Sequence, residues 1–408
     1  MLFGQDHFFW GDSFTYIHSA ESLLEEGVYD DARRTPLYPL LLAFFLWLSK
    51  SYGVAILLGL QVVAAAYSAV LVRRIAALFT KDPYPLLAAI LFALEPLGAI
   101  MNILVLAETF LMLFLLIFIW HFLIYYKNPS RHTLIVAAVA LAAAVWTKPV
   151  AAYLFIVPLG FLVFVLRKKQ HVVLYTGIYC AAIFPWILFV YSHFHFLGIS
   201  AQGENNACGY MLTSVFSTEY RTDPSDMDAS LFPSAFTQAR ASCTGTLSSI
   251  RIALQYPESF AKTLLLSTAS MFTNEGYAIL FQGAPEESLK AHHNYLTPAV
   301  FADVHWYMKI RGAVAELRPR ELFIVVVGKL FWMAVTLLSM AGAYWSIIDR
   351  DERWQALFLL VVVLYFVSIT VISTGYGVGA RLRYPINPFL FIFASVGFAG
   401  VVAKMRIR

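Results

Sequence analysis

The sequence contains little charge for its size. Of its 408 residues, only 13% are Asp, Glu, Lys or Arg, whereas 60% are hydrophobic. A soluble globular protein carries about a quarter charged residues, so this composition indicates a polytopic membrane protein. The net charge of +4 is small and scattered along the chain, which argues against a nucleic-acid partner.

Several site signatures are also missing. Three cysteines are too few for a disulfide scaffold or a thiolate metal site. The sequence contains no Gly-rich phosphate loop and no HExxH, GxSxG or CxxC motif. The enzyme classes that carry these motifs are therefore not indicated.

Long apolar runs dominate the chain instead. A spanning helix needs about 20 mostly apolar residues. Nine runs qualify, at roughly 53–72, 84–104, 106–124, 133–147, 150–166, 172–191, 322–346, 355–374 and 385–403. Residues 37–48 are apolar but too few to span, so they predict a helix in the membrane interface. We expect an all-α polytopic membrane protein with about nine transmembrane helices, this juxtamembrane helix and a mixed extracytoplasmic segment.

Lysine and arginine near the ends of the runs predict the orientation. They recur at alternate ends, which the positive-inside rule places in the cytoplasm: Arg73, Arg74, Lys81, Lys127, Arg131, Arg167, Lys168, Lys169, Arg350, Arg353, Lys404, Arg406 and Arg408. This orientation divides the chain into a first extracytoplasmic loop (1–52), six spans (53–191), an extracytoplasmic segment (192–321) and three spans ending in the cytoplasm (322–408). We expect a location in the plasma (inner) membrane.

The predicted orientation makes the start of the chain unusual. Met1 would lie outside, although the first dozen residues contain neither a signal peptide nor a span. We expect a further transmembrane helix before this point; the alternative is that a short amino terminus is translocated unaided.

A group of cations breaks the sidedness rule, because it falls at the outer ends of the spans. Its members are Arg33, Arg34, Lys148, Arg381 and Arg383. Any one could be a side chain that snorkels at the interface. Together they place several cations on one membrane surface, where charges usually face a cavity and mark a ligand path. Because the planar guanidinium donates two hydrogen bonds at once, the group predicts a site for an anionic headgroup.

Carboxylates occur on the same side. Glu108 lies in "LAETFL", where one span turns back into the next, and Asp12 begins "GDSFTYIHSAESLLEEG". Apolar or small residues in the latter stretch recur at helical spacing. Asp12 is therefore either the N-cap of a helix or a carboxylate that faces the ligand.

These residues carry a family resemblance. "GDSFTYIHSAESLLEEGVY", followed by "RRTPLYPLLLAFF", resembles the first outer loop of GT-C-class membrane glycosyltransferases, in the bacterial lipid-carrier-dependent branch related to protein mannosyltransferases and aminoarabinose transferases. The matching positions are Asp12, Tyr16, Ala20, Leu24, Gly27, Arg34, Thr35, Pro36, Tyr38 and Pro39. "AETFL", "TKP", "RLRYPINPFLF" and "FPWILFVYSHFHFLG" are similar to later motifs of the family. Two features depart from it: the family's first span is missing, and Lys148 stands where arginine is commoner.

The resemblance implies a transferase that moves a sugar from a polyprenyl-phosphate donor to an acceptor glycan, lipid or protein on the outer face. It implies Asp12 as the catalytic base with Glu108 as a second catalytic carboxylate. Tyr16, Arg33, Arg34, Lys148, Arg381 and Arg383 would bind the substrates. Some relatives use a divalent cation, and Asp12 with Glu108 could supply ligands for one.

Other functions remain open on the sequence. A transporter or flippase of a lipid-linked or anionic substrate is the main alternative, although its usual signs, an internal repeat or paired broken helices, are not found. A ligase or polymerase of lipid-linked glycans and a non-catalytic assembly factor are further alternatives. Cys208 and Cys243 both fall in the predicted outer segment, where a disulfide could form, or both could remain free thiols.

Overall fold

The computed structural model describes residues 9, 11–221, 234–281, 291 and 296–407. The first eight residues and Arg408, for which the topology above makes predictions, lie outside this part of the chain. The described residues form helices and no strand, which confirms the predicted all-α class.

Among the described residues, six helices are long and apolar enough to cross a membrane, and they correspond to six of the nine predicted spans. They are α3 (Gly53–Ala76), α6 (Glu108–Lys127), α9 (Lys169–Phe194), α16 (Pro319–Ile348), α17 (Arg353–Thr374, with a 3-10 turn at Gly375–Gly377) and α19 (Asn387–Ile407, preceded by the short α18, Ala380–Arg383). The chain is a multi-pass membrane protein.

The other three predicted spans correspond to shorter apolar helices. They are α4 (Tyr84–Leu94), α7 (Arg131–Thr147) and α8 (Pro149–Val165), the last of which changes from 3-10 to α to π geometry. The prediction of one continuous run over 84–104 was wrong. The chain is extended at Glu95, and α5 (Pro96–Met101) begins with a proline, whose missing N–H suits a first helical position. The Glu95 carboxylate accepts hydrogen bonds from the N–H groups of Leu97 and Gly98 (3.3 and 2.6 Å), so it caps the new helix.

The remaining helices are short. Two belong to the first loop: α1 (Ser13–Glu25) and α2 (Leu37–Leu48), the predicted juxtamembrane helix. Those after α9 are α10 (Gln202–Asn206), α11 (Leu212–Tyr220), α12 (Ser234–Ser242), α13 (Thr246–Ala253), α14 (Pro257–Thr273) and α15 (Trp306–Glu316).

The chain divides into two compact units. The first comprises Met1–Ala201, Leu338–Val363 and Pro385–Arg408. In it, α6 packs on α7, and α19 packs on α3 and α4. Glycines allow α16 and α19 to approach closely, because a Cβ on Gly342 or Gly397 would collide with the backbone of the other helix.

The second unit comprises Gln202–Leu337 and Leu364–Tyr384. Its helices α11 and α14 pack through buried hydroxyls: the Thr218 and Thr263 hydroxyl oxygens lie 3.1 Å apart, and the Tyr376 hydroxyl lies 2.7 Å from Thr218. Cys208 and Cys243 form a disulfide, with Cα atoms 5.8 Å apart, so the bridge that the sequence left open is present. Cys180 is free.

The turn between α16 and α17 holds a carboxyl group with a perturbed titration. Burial, with the neighbouring charge of Asp349, raises the pKa of Glu352 from its ordinary 4.5 to about 7. Between these two values the folded protein binds a proton that the unfolded chain does not. Stability in this window therefore falls as the pH rises and is lowest above about 7.

Candidate active site

The first loop places Asp12 at the beginning of α1, but its carboxylate does not cap the helix. The backbone carbonyl of Asp12 accepts from the N–H groups of Thr15 and Tyr16, whereas the side chain makes no capping hydrogen bond. Its Oδ1 accepts from Nη2 of Arg34 at 2.7 Å instead. The Asp12 side chain is 33% exposed, so it is both anchored and accessible. The N-cap interpretation accounts for the position of Asp12 and not for its carboxylate.

Arg34 is held on several sides at once. Its Nε donates to the Thr15 hydroxyl at 3.1 Å, and that hydroxyl donates to the Asp12 carbonyl oxygen at 2.8 Å. The guanidinium lies over the ring of Tyr16, 5.0 Å from its centroid. Only 10% of the Arg34 side chain is exposed. Burial acts to lower the pKa of Arg34, but Tyr16 and Asp12 outweigh it and the pKa is raised, so the cation persists.

Tyr16 connects this group with the loop before α6. Its ring packs edge-on against Tyr38, with centroids 4.8 Å apart, and Tyr38 packs in turn on Phe110 at 6.1 Å. The Tyr38 hydroxyl donates to Oε1 of Gln61 at 2.7 Å, and Nε2 of Gln61 donates to the carbonyl of Leu104 at 2.8 Å. The first loop and the loop before α6 are thus tied together through these buried contacts.

Glu108 and Lys148 form another ion pair of this unit. Glu108 opens α6 and Lys148 follows the last residue of α7, so the packing of these two helices brings them together. Nζ of Lys148 lies 2.8 Å from Oε1 of Glu108. Glu108 is 1% exposed, whereas the Lys148 side chain retains 18% exposure. Lys148 is therefore the accessible member of the pair.

Arg33 differs from its neighbour Arg34. Its side chain is half exposed and pairs with Asp31, with 3.1 Å between Nε and Oδ1. Asp31 also accepts from the backbone N–H of Arg33 at 2.8 Å. This local pair leaves Arg33 at the surface of the first loop.

Arg381 and Arg383 belong to the second unit, on α18, and their environments differ. Arg383 is completely buried. Its Nη1 donates to the carbonyls of Met271 and Asn274, both at 2.7 Å, and its guanidinium lies 3.4 Å from the ring centroid of Trp332. It therefore fixes α18 to the C-terminal end of α14. Arg381 is half buried, which leaves its side chain accessible.

Three further residues were missed by the sequence reasoning. Gln61 is the only polar side chain in "LLGLQVVAAA", and this isolation was a usable signal. Lys329 lies within α16 and pairs with Glu275, with 3.0 Å between Nζ and Oε2. Glu275 is completely buried. The charge of Lys329 inside a predicted spanning run was a recognisable anomaly in the sequence. Nothing in the sequence indicated that its partner is Glu275, 54 positions away.

The described residues contain no group of three or more His, Cys, Asp or Glu side chains that could hold a metal ion. Asp12 and Glu108 are each engaged by a cation, as above. The chemistry proposed below uses no divalent cation.

Residues 33–189 match the family model described as dolichyl-phosphate-mannose-protein mannosyltransferase. No curated protein matches the chain. The apo oligosaccharyltransferase of Archaeoglobus fulgidus is similar in structure, with a TM-score of 0.52, 12% identity, and 97% of this chain and 47% of that chain covered.

Two further solved structures are similar. The archaeal oligosaccharyltransferase AglB from Archaeoglobus fulgidus, in complex with an inhibitory peptide and a dolichol-phosphate, has a TM-score of 0.52, 11% identity and coverages of 97% and 47%. ArnT from Cupriavidus metallidurans, bound to undecaprenyl phosphate, has a TM-score of 0.42, 14% identity and coverages of 96% and 73%.

The chain spans about half the length of the archaeal structures that it matches. At such low identity these matches establish the fold. With the family match over 33–189, they confirm the predicted resemblance to GT-C-class glycosyltransferases related to protein mannosyltransferases.

Proposed function

We propose that the chain transfers a glycosyl group from a polyprenyl-phosphate donor to an acceptor hydroxyl on the extracytoplasmic face of the plasma membrane. The observation that carries this proposal is the state of Asp12. Its carboxylate lies at the start of a helix without capping it and forms an ion pair with a buried arginine. A third of the Asp12 side chain remains exposed.

Asp12 is the general base of the proposed reaction. The contact with Arg34 favours the ionised carboxylate, and only one oxygen is used in that contact. Asp12 accepts the proton of the acceptor hydroxyl as the hydroxyl oxygen bonds to the anomeric carbon. The bond between that carbon and the phosphate oxygen breaks, and polyprenyl phosphate leaves with the electron pair.

An accessible cation holds the leaving phosphate. Lys148, with partial exposure and Glu108 as its fixed counter-ion, supplies a point charge. Its role in the transition state is to neutralise the charge that develops on the departing oxygen.

Two predicted site residues act indirectly in this proposal. Glu108 is too buried to reach a hydroxyl in solution, and it positions Lys148. Arg383 has its guanidinium on two carbonyls and an indole ring, so it positions α18, which carries Arg381. Arg34 and Tyr16 hold Asp12.

Two features support the extracytoplasmic placement. Lysine and arginine cluster at the opposite ends of the spans. The disulfide between Cys208 and Cys243 lies in the segment 192–321, and disulfides persist in oxidising compartments.

The test is turnover of a polyprenyl-phosphate sugar by the purified full chain in nanodiscs. Asp12→Asn should bind donor normally and lower turnover about 100- to 10,000-fold, the range for loss of a general base. Asp82→Asn, which alters an exposed pair with Arg73, is the matched control and should keep full activity. Normal turnover by Asp12→Asn would reject Asp12 as the base. Movement of intact donor across the bilayer without sugar release would favour a flippase.

A further inference from the structure

A cavity of about 550 Å³ lies beside Asp12 in the first unit. The residues around it include Phe14, Thr15, His18, Asp30, Arg33 and Phe194. Thr15 belongs both to the cavity and to the group around Asp12, because its hydroxyl donates to the Asp12 carbonyl oxygen and accepts from Arg34. A molecule in this cavity is thus separated from the proposed base by a single turn of α1. The volume falls within the range of about 300–1,000 Å³ typical of small-molecule sites.

The charges around the cavity do not favour an anion. Asp31 is paired with Arg33, so these two side chains cancel. The remaining carboxylate, Asp30, faces His18 at 3.1 Å, and the His18 side chain is largely exposed. The lining contains two carboxylates, Asp30 and Asp31, against one arginine, Arg33. A phosphorylated acceptor would meet Asp30 without a free cation to offset it.

The backbone of the cavity wall is already engaged. The carbonyl of Ala32 accepts from the N–H of Ala201 at 3.0 Å, and the carbonyl of Arg33 accepts from the Ser200 hydroxyl at 2.6 Å. An extended peptide binds mainly through hydrogen bonds between main chains. This wall therefore gives a peptide few partners and leaves recognition to side chains.

Those side chains are aromatic rings combined with hydrogen-bonding groups. Phe14 is 63% exposed, although it is the second residue of a helix, and Phe194, the last residue of α9, also lines the cavity. The faces of aromatic rings are negative, so they attract the weakly positive C–H groups of a sugar ring. An ionised carboxylate accepts two hydrogen bonds, which matches neighbouring hydroxyls on such a ring.

From this combination we infer that the cavity is the acceptor site and that it binds a neutral saccharide. Asp30 and His18 form hydrogen bonds with hydroxyls of the sugar, and Phe14 and Phe194 pack on the faces of its ring. The reacting hydroxyl lies on the Thr15 side of the cavity and points toward Asp12. This inference rests on the proposed function and specifies its acceptor as a glycan.

The inference can be tested without donor, so that binding is separated from turnover. The full chain in nanodiscs is titrated with mannobiose and with chitobiose, and binding is followed by saturation-transfer NMR. Asp30→Asn and Phe14→Ala should each weaken binding about tenfold, as expected for loss of one charge-assisted hydrogen bond or one ring contact. Glu21→Gln, an exposed carboxylate on the same helix, is the matched control and should bind as the unaltered chain does.

Asp12→Asn separates this inference from the assignment of the base. It should lower turnover about 100- to 10,000-fold and leave disaccharide binding intact; normal turnover in this variant would reject Asp12 as the base while the binding result still stands, and a lack of sugar release by the unaltered chain would reject the proposed function itself. The inference is overturned if neither disaccharide binds, or if both bind Asp30→Asn and Phe14→Ala at unchanged affinity. Stronger binding of glucosamine 1-phosphate or of a serine-containing peptide at the same residues would also overturn it.

Discussion

Replacing Arg34 with lysine keeps a positive charge beside Asp12 but removes the planar group that holds it in place. The guanidinium makes three contacts: Asp12 at 2.7 Å, the Thr15 hydroxyl at 3.1 Å and the Tyr16 ring at 5.0 Å. A single ammonium cannot make all three, because it is a point charge on a flexible stem. Arg34→Lys therefore tests whether the geometry of Asp12, rather than the charge beside it, supports activity.

The size of the effect follows from the contacts that are lost. A hydrogen bond from a charged group contributes about 1.5–3 kcal/mol, and a cation over an aromatic ring contributes about 0.5–2 kcal/mol. Since lysine keeps part of the attraction to Asp12, we expect the free energy of unfolding to fall by about 2 kcal/mol in all. Displacement of a reacting group by about 1 Å can cost about 100-fold in rate, so kcat should fall about 10- to 100-fold.

The assay compares turnover and thermal unfolding of Arg34→Lys with those of Arg73→Lys. Arg73 also pairs with an aspartate, Asp82 at 3.6 Å, but both side chains are more than half exposed. Exposed pairs contribute about 0–1 kcal/mol, so Arg73→Lys should resemble the unaltered chain in both measurements. Full kcat in a folded Arg34→Lys protein would refute the reasoning, because Asp12 would then need no fixed partner.

Three further predictions concern stability. Removing the disulfide with Cys208→Ala and Cys243→Ala should lower the free energy of unfolding by about 3–4 kcal/mol in the chain-entropy model; Cys180→Ala is the control, and equal denaturation midpoints for the two proteins would contradict the prediction. Glu275→Gln leaves Lys329 without its buried counter-ion and should cost about 3 kcal/mol, whereas Asp82→Asn should cost less than about 1 kcal/mol; similar unfolding temperatures would show that the Lys329 pair is not needed. Glu352→Gln should raise the melting temperature at pH 8 and change it little at pH 5, since the charge that it removes is present in the folded protein only above about pH 7; a gap that does not grow between pH 5 and 8 would reject the raised pKa.

Much of the candidate site was identified from the sequence motifs. Arg34, Glu108 and Lys148 were singled out because a charge at the end of an apolar run has a cost and so needs a reason, and Asp12 because it begins a motif that resembles the family's first outer loop. The matched family region, 33–189, contains three of these four residues.

The sequence could not distinguish residues that contact substrate from residues that hold the structure. Arg381 and Arg383 are two positions apart and look equivalent in "RLRYP", yet Arg383 is completely buried on two carbonyls and an indole ring. Glu275 and Lys329 are 54 residues apart, and nothing local to either one predicts the other. Burial and pairing of this kind depend on which helices pack together.

By itself the sequence determined the membrane class, the helical architecture and the helix at 37–48, because each depends on local composition and period. Only the tertiary structure decided that 84–104 breaks at Glu95, that Cys208 meets Cys243, and that Asp12 turns from its helix toward Arg34. Local hydrophobicity sets where a segment resides, whereas the partner of a polar side chain is chosen by contacts between segments that are distant in sequence.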